Sequence, residues 1–272
     1  MNKQINAMYF SATGTTKKVV TSIANQLSLN AGKDAQIKIF DFTLPAFRRE
    51  PITFTKEDVV IVGVPVYAGR VPNILLKYLH TVTGNGALAI AVVLYGNRNY
   101  DDALIELTDI LVSNGFKVVA AGAFIGEHSF SKILAQNRPD EKDMTIVKDF
   151  ADQIYRKITN NSKFEDLLVN GNRPYKSYYT PKNKNNEPVD IRKVTPRTNT
   201  DCIKCKLCVN VCPMGSIDNE DPSKIIGICI KCCACIKKCP TNAKYFADED
   251  YLWHKQELEI NFSPRREPEI FI

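Results

Sequence analysis

Apolar positions follow two rhythms over roughly the first 160 residues, a short solid run and then a helical repeat, several times in succession. Ile5 to Phe10 is a solid run. The hydroxyl-rich turn Ser11 to Thr16 follows it, and Val19, Val20, Ile23, Ala24 and Leu27 then recur at helical spacing. Further buried-strand runs rich in Val, Ile and Ala occupy Ala35 to Phe40, Val59 to Val64, Ala87 to Tyr95 and Lys117 to Ile125. Helical stretches separate most of them: Pro72 to Leu79 with proline near the first turn, Asp101 to Ser113 ending before Gly115, and Lys142 to Ile158. Pro45 and Pro51 interrupt the stretch Asp41 to Lys56, so an irregular connection is expected there. Five strands with helical crossovers predict an α/β fold built on a doubly wound, five-stranded parallel sheet. Such sheets bind ligands at the carboxyl ends of their strands, near the switch in strand order.

The rhythm stops near residue 160. Asn160 to Thr195, with Lys182 to Pro188 between proline-bearing flanks, reads as an irregular connector. Beyond it stand two cysteine runs, Cys202, Cys205, Cys208, Cys212-Pro213 and Cys229, Cys232, Cys235, Cys239-Pro240. Each has the spacing C-x2-C-x2-C-x3-C-P of two-cluster bacterial ferredoxins, in which three thiolates wrap one 4Fe-4S cube and the fourth ligates the other. Cysteines this close together leave few unstrained disulfide pairings, and structural zinc leaves the third and fourth cysteine of each run unexplained. Two 4Fe-4S clusters on these eight cysteines are therefore expected. Cys233, directly after Cys232, reads as a small apolar filler. The 27-residue offset from Cys202 to Cys229 is an internal repeat that fits one two-fold unit. The expected division is 1–160 for the sheet domain, 161–194 for the linker, 195–247 for the cluster domain and 248–272 for a tail. That tail holds Trp253 and the alternating Leu258, Ile260 and Phe262, and either packs back as a strand or stays loose.

Composition is that of a soluble globular protein, 44% hydrophobic and 24% charged over 272 residues. No apolar run reaches the roughly 18 residues of a membrane span, and Met1 to Phe10 lacks a leader's apolar core and cleavage site. A cytoplasmic protein without disulfides is expected, since reduced thiols and oxygen-sensitive cubes suit a reducing compartment. The formal charge of +6 would suggest nucleic acid, but it counts the cysteines as neutral. Each oxidised cube with four thiolates brings roughly −2. Two cubes leave about +2 and a bound phosphate about neutrality, so a nucleic-acid partner is not expected. Lys204, Lys206, Lys231, Lys237 and Lys238 form a local basic group, either a dock for an acidic redox partner or a solvated face.

Three strand-end loops carry the remaining chemistry. Ser11-Ala12-Thr13-Gly14-Thr15-Thr16 leads into a helix N-terminus, where hydroxyls and free N–H groups hold a phosphate without a lysine. This loop resembles the FMN-phosphate loop of flavodoxins, T/S-x-T-G-x-T. Pro65-Val66-Tyr67-Ala68-Gly69-Arg70-Val71-Pro72 and Tyr95-Gly96-Asn97-Arg98-Asn99-Tyr100-Asp101-Asp102 are similar to the two flavin-ring loops of flavodoxin-like proteins. With the cysteine runs, the chain resembles flavodoxin-ferredoxin fusions of the EFR1-family ferredoxin kind, found in anaerobic bacteria. The resemblance covers roughly residues 3 to 158 and 195 to 247. It implies a flavodoxin-like sheet, a small α+β ferredoxin domain, and FMN beside the two clusters. Tyr67 and Tyr100 offer flat faces to a flavin ring, while Gly69 and Gly96 let backbone approach its polar edge. Arg70 and Arg98 either stabilise a reduced, anionic flavin or are solvated loop charges. Gly126 to Ser131 lies on the same sheet edge, and its His128 is either a hydrogen-bonded structural residue or a proton donor to flavin. Asp101-Asp102 reads as a charge pair at a helix start.

The function that follows from clusters and FMN in one chain is electron relay, exchanging single electrons with a flavin that holds one or two, in anaerobic low-potential metabolism. A flavin-dependent reductase acting on a small substrate and a redox-sensing interaction module are the alternatives, so enzyme or carrier stays open. Gly84-Asn85-Gly86-Ala87-Leu88-Ala89 matches G-x-G-x-x-A but precedes a strand instead of joining strand to helix, which rules out a dinucleotide site there.

Overall fold

The solid apolar runs are the central strands. A computed structural model describes residues 3–32, 37–160 and 163–272. In chain order the elements are β1 (Gln4–Tyr9), α1 (Thr15–Asn30), β2 (Lys38–Asp41), β3 (Asp58–Pro65), α2 (Asn73–Leu79), β4 (Leu88–Tyr95), α3 (Ala103–Ser113), β5 (Lys117–Ile125) and α4 (Glu141–Asn160). They are followed by β6 (Arg197–Thr198), α5 (Leu207–Asn210), α6 (Ala234–Lys237), β7 (Lys244–Tyr245), α7 (Glu249–Asn261) and β8 (Glu269–Phe271). Positions 35 and 36 of the expected second strand lie outside the described residues. Asp41 to Lys56 is irregular as expected, with a single 3-10 turn at Pro45–Arg48.

The sheet order is β2-β1-β3-β4-β5-β8, and the first five strands are mutually parallel. Order 2-1-3-4-5 is the flavodoxin-like doubly wound arrangement, with its switch between β1 and β3. Period-two alternation divides the core. Ile5, Ala7 and Tyr9 pack with Val19, Ile23 and Leu27 of α1 and Phe150 and Ile154 of α4. Met8 and Phe10 pack on the other face with Leu75 and Leu79 of α2 and Leu104 and Leu107 of α3. Each such fully buried side chain stabilises the fold by roughly 1.5–3 kcal/mol relative to exposure. Gly63 lets α1 close on β3, since a Cβ there would lie 2.2 Å from Val20 Cγ2.

The tail departs from expectation. It adds β8 antiparallel to β5, giving a sixth strand, but the alternating Leu258, Ile260 and Phe262 are not in it. Leu258 and Ile260 lie in α7, whose buried residues Tyr251, His254 and Leu258 recur at helical spacing while Ile260 is exposed. Buried Asn97 ties the tail to the β4 loop. Its amide donates to Phe262 O (2.5 Å) and Pro264 O (2.9 Å), and its oxygen accepts from the Arg266 N–H (3.3 Å). Tyr100 donates its hydroxyl to Glu269 at 2.6 Å.

The connector is also fastened down. Buried Asp102 accepts from the Asn172 N–H (2.9 Å), the Asn172 amide (2.8 Å) and the Lys176 N–H (2.7 Å), so it serves the connector rather than capping α3. Burial alone would raise this carboxyl, but those hydrogen bonds outweigh it and hold the pKa below the ordinary carboxylate value. Asp109 takes Arg173 in two bonds and the Tyr175 hydroxyl at 2.6 Å.

The cysteine repeat is visible in the backbone. Lys204 and Lys231 share φ 54°, Lys206 and Cys233 share φ 59°, and Gly215 (61°) pairs with Asn242 (54°). Cys233 thus fills the left-handed position that precedes α6, equivalent to Lys206 before α5. This unit sits on the carboxyl edge of the sheet. Arg48 donates to Pro213 O (2.6 Å), Lys237 pairs with Glu127 (3.2 Å), and Cys232 and Ala234 join the apolar cluster on the α2 and α3 face.

Replacing Asn97 with Ala removes three part-buried hydrogen bonds to the tail backbone, each worth about 0.5–1.5 kcal/mol net. Urea unfolding is expected to show a loss of that order, with faster amide exchange across β8. Unchanged stability and exchange would show that the tail is held elsewhere.

Candidate redox site

The loops after β1, β3, β4 and β5 meet on one edge, and three close approaches bring them together. A Cβ on Gly69 would lie 2.2 Å from Asp101 Oδ2, one on Gly96 2.4 Å from His128 Cδ2, and one on Gly126 2.9 Å from Thr15 Oγ1. Side chains at any of these glycines would push the loops apart.

The β1 loop turns through Gly14 (φ 101°) into α1. Ser11 Oγ accepts from the Lys17 N–H at 2.9 Å, and the Ser11 N–H donates to Thr43 Oγ1 at 2.8 Å. Among the described residues the N–H groups of residues 12 to 16 make no hydrogen bond, so the loop presents free donors at a positive helix end. Thr13 and Thr15 are half-buried, whereas Thr16 is buried with its methyl toward Gly63.

Beside these loops lies a cleft of about 810 Å³. Val66, Tyr67 and Ala68 of the β3 loop, Arg98 of the β4 loop and His128 to Phe130 of the β5 loop form one side. The connector supplies Tyr178 to Pro181, the second cysteine run supplies Ile228 to Lys231, and α7 supplies His254 and Leu258. Ser11 to Thr16 do not line this cleft; Thr15 packs against Gly126, two residues before the lining residue His128.

The expected ring-loop residues separate here. Tyr67 and Arg98 line the cleft, with the Arg98 guanidinium 4.5 Å over the Tyr179 ring and ion-paired to Asp101. Arg70 faces elsewhere. It holds Glu106 with two bonds (2.8 and 2.7 Å), donates to Lys176 O at 2.7 Å and lies over the rings of Tyr175 and Tyr178. Tyr95 and Tyr100 are buried against each other (5.6 Å between centroids), and Asn97 is committed to the tail. Pro65 ends β3, and Gly69 and Gly96 serve as the close-approach points. Sequence reasoning missed Tyr178, Tyr179 and His254, because a connector read as irregular gave no reason to place its aromatics over the sheet edge.

Burial raises the Tyr67 phenol well above its ordinary pKa, reinforced by the sulfurs of Cys232, Cys233 and Cys229. That electrostatic neighbourhood puts Tyr67 between the cleft and the second cysteine run. The cysteines themselves surround two small cavities. One is lined by Cys229, Cys232, Cys233, Cys235 and Cys212, the other by Cys202, Cys205, Cys208 and Cys239. The last cysteine of each run thus lines the cavity of the opposite run, and Cys233 joins the wall of the second-run cavity. No three His, Cys, Asp or Glu side chains among the described residues converge on one point at single-ion distance, and all nine thiols are free. The Ser216 and Ala243 N–H groups donate to Cys212 Sγ (3.4 Å) and Cys239 Sγ (3.3 Å), the same bond repeated in the two halves.

Burial pushes the Cys232 and Cys233 thiols up to about 12. The Cys233 Sγ lies 3.7 Å from the Tyr251 hydroxyl. The basic group is divided. Lys231 is buried, donating to Arg192 O (2.6 Å) and Cys229 O (2.8 Å), and Lys237 is paired to Glu127, while Lys204 and Lys238 are exposed.

Comparison with known proteins places a 4Fe-4S binding domain on residues 198–218, which contain the whole first cysteine run. The chain thus joins a 4Fe-4S binding segment to a sheet of flavodoxin-like strand order. No curated protein matches it. Solved structures with a similar fold include an archaeal flavodoxin at 18% identity, covering 58% of this chain and 99% of that one with a TM-score of 0.39. A flavodoxin of Fusobacterium nucleatum bound to flavin mononucleotide is 18% identical, with coverages of 60% and 99% and a TM-score of 0.39. The rubredoxin oxygen:oxidoreductase of the anaerobe Desulfovibrio gigas is 18% identical, with coverages of 59% and 37% and a TM-score of 0.42. The fold assignment rests on the strand order, not on these scores. No helix among the described residues is long and apolar enough to cross a membrane.

His128 gives a pH test of the site. Burial, then the charges of His254, Lys237 and Arg98, lower its pKa to about 3, and its Nδ1 accepts from the Phe130 N–H at 3.2 Å. The ring is therefore neutral with its proton on Nε2. Because the unfolded chain protonates first, near pH 6.5, His128 favours the fold fully above that pH and progressively less toward pH 3. Nitrogen-15 NMR is expected to show no His128 titration between pH 8 and 5; an inflection near 6.5 would contradict the enclosure.

Proposed function

We propose that the chain is an electron relay in which FMN at the sheet edge exchanges electrons with two 4Fe-4S clusters held in crossed fashion by the cysteine runs. The observation that carries this reading is a shared wall: Ile228, Cys229 and Ile230 line both the cleft and the second-run cavity. A ring in the cleft is then separated from the cube by one ligand residue. The free N–H groups of residues 12 to 16, with the Thr13 and Thr15 hydroxyls, suit the FMN phosphate. Val66, Tyr67, Ala68 and Arg98 suit the ring. FMN would supply a carrier of one or two electrons beside cubes that pass one at a time.

The protein's own groups shape that exchange. A ring seated in the cleft against Val66, Tyr67, Tyr179 and Ile230 would displace water from that wall, which strengthens the field of a charge beside it. His128, neutral by burial, adds no positive charge there, and Arg98 supplies one, held in place by Asp101 and Tyr179. The eight ligands divide as Cys229, Cys232, Cys235 and Cys212 for one cube, and Cys202, Cys205, Cys208 and Cys239 for the other. Such a relay suits low-potential anaerobic metabolism.

Anaerobically purified protein is expected to release one FMN per chain on acid treatment and to contain about eight iron atoms. Cys212→Ser should lower the iron content, while Cys233→Ser should keep it. Recovery of FAD, about four irons, or equal loss in the two variants would overturn the assignment.

The two arginines separate as well. Arg98→Gln is expected to lower the flavin potential, because a cation near the anionic reduced ring favours reduction. Arg70→Gln should leave the potential alone and instead destabilise the fold by about 3–5 kcal/mol, since it strands the buried Glu106 carboxylate. Redox titration beside urea unfolding checks both; a potential shift in the Arg70 variant larger than that in the Arg98 variant would reverse the assignment.

A further inference from the structure

The geometry points to a fixed polarity in the relay: the second-run site is the flavin-side terminal, and the first-run site is the outer terminal where an acidic one-electron carrier protein docks. This rests on the relay reading and adds its direction in space and its partner. Two independent features support it.

The first is the burial of the two sites. Cys232 is buried in the sheet domain's apolar cluster, and Cys229 lines the cleft itself. The first-run cavity is lined only by residues of the cysteine domain, and its ligand Cys205 is exposed. Electron exchange falls steeply with distance, so a carrier too large to enter the cleft reaches the first-run site far more closely than the second.

The second feature is the surface around Cys205. Ile203 is 66% exposed and Leu207 37%, an apolar collar beside the exposed ligand. Lys204 stands between Ile203 and Cys205 and is exposed, and Lys206 is partly so. The equivalent lysine of the second run, Lys231, is buried on two carbonyls, so at this one position of the repeat the ammonium faces outward in the first half and inward in the second. Glu220 lies 3.9 Å from Lys206, whereas Lys204 makes no ion pair among the described residues. An apolar contact ringed by an available ammonium fits a partner whose own cluster is rimmed by carboxylates. No outside reductant is needed beyond that partner: the carrier gives up one electron as the first-run cube gains it, or the reverse.

The test uses the full holoprotein, reduced anaerobically and mixed in a stopped-flow cell with an oxidised, acidic two-cluster ferredoxin as probe. Lys204→Glu is expected to slow the second-order reaction about tenfold at low ionic strength, with the difference shrinking as salt rises. Lys148→Glu, on the exposed side of α4, changes the net charge equally and should react like wild type. Iron content, flavin content and the internal exchange between clusters and flavin should be unchanged in both variants. A Lys204→Glu protein reacting at the wild-type rate, or a Lys148→Glu protein slowed as much, overturns the port while leaving the relay standing. A wild-type chain whose clusters and flavin do not exchange electrons overturns the relay, and the polarity with it.

Discussion

The seating of the second cysteine run against the carboxyl edge of the sheet is the contact on which the rest of the arrangement depends. Cys232 and Ala234 belong to the same buried cluster as Val64, Val71 and Leu75, with Tyr67 packed against it. Because the run is anchored there, Cys229 is placed on the wall of the cleft and the crossed repeat turns the first run outward. Slippage of this seat would separate two redox sites without breaking either.

The connector and the tail are tied down around that seat. Asp102 and Asp109 draw the connector across the β3 loop, and Asn97 and Glu269 draw the tail across the β4 loop. These bonds use up several polar side chains that a flavodoxin-like loop would otherwise offer to a ring. Arg70 goes to Glu106, Tyr100 to Glu269 and Asn97 to the tail, which leaves Tyr67 and Arg98 in the cleft, with Tyr179 and His254 arriving from segments beyond the sheet domain.

How much was legible in the sequence follows from the range of the interactions involved. Strands such as Lys117–Ile125 and the buried face of α1 are set by local periodicity, and they appear where the pattern puts them. The repeated turn of the two cysteine runs was likewise readable, since the 27-residue offset recurs in the backbone angles of Lys204 and Lys231. Pairings between distant segments were not. Nothing in the local sequence of Asn97 or Asp102 distinguishes a loop or cap residue from an anchor for residues 262 to 266 or 172 to 176. The tail shows a second limit, because Leu258, Ile260 and Phe262 satisfy a strand period over five positions, while the helical recurrence of Tyr251, His254 and Leu258 spans a longer window.

The central claim, that flavin and clusters exchange electrons within one chain, is tested most directly by the kinetics of flavin reduction after rapid reduction of the clusters in the reconstituted holoprotein. The account requires a first-order rate that stays constant as protein concentration is varied tenfold. A rate that rises in proportion to concentration would mean that electrons pass between molecules, and would contradict the shared wall at Cys229 as their route.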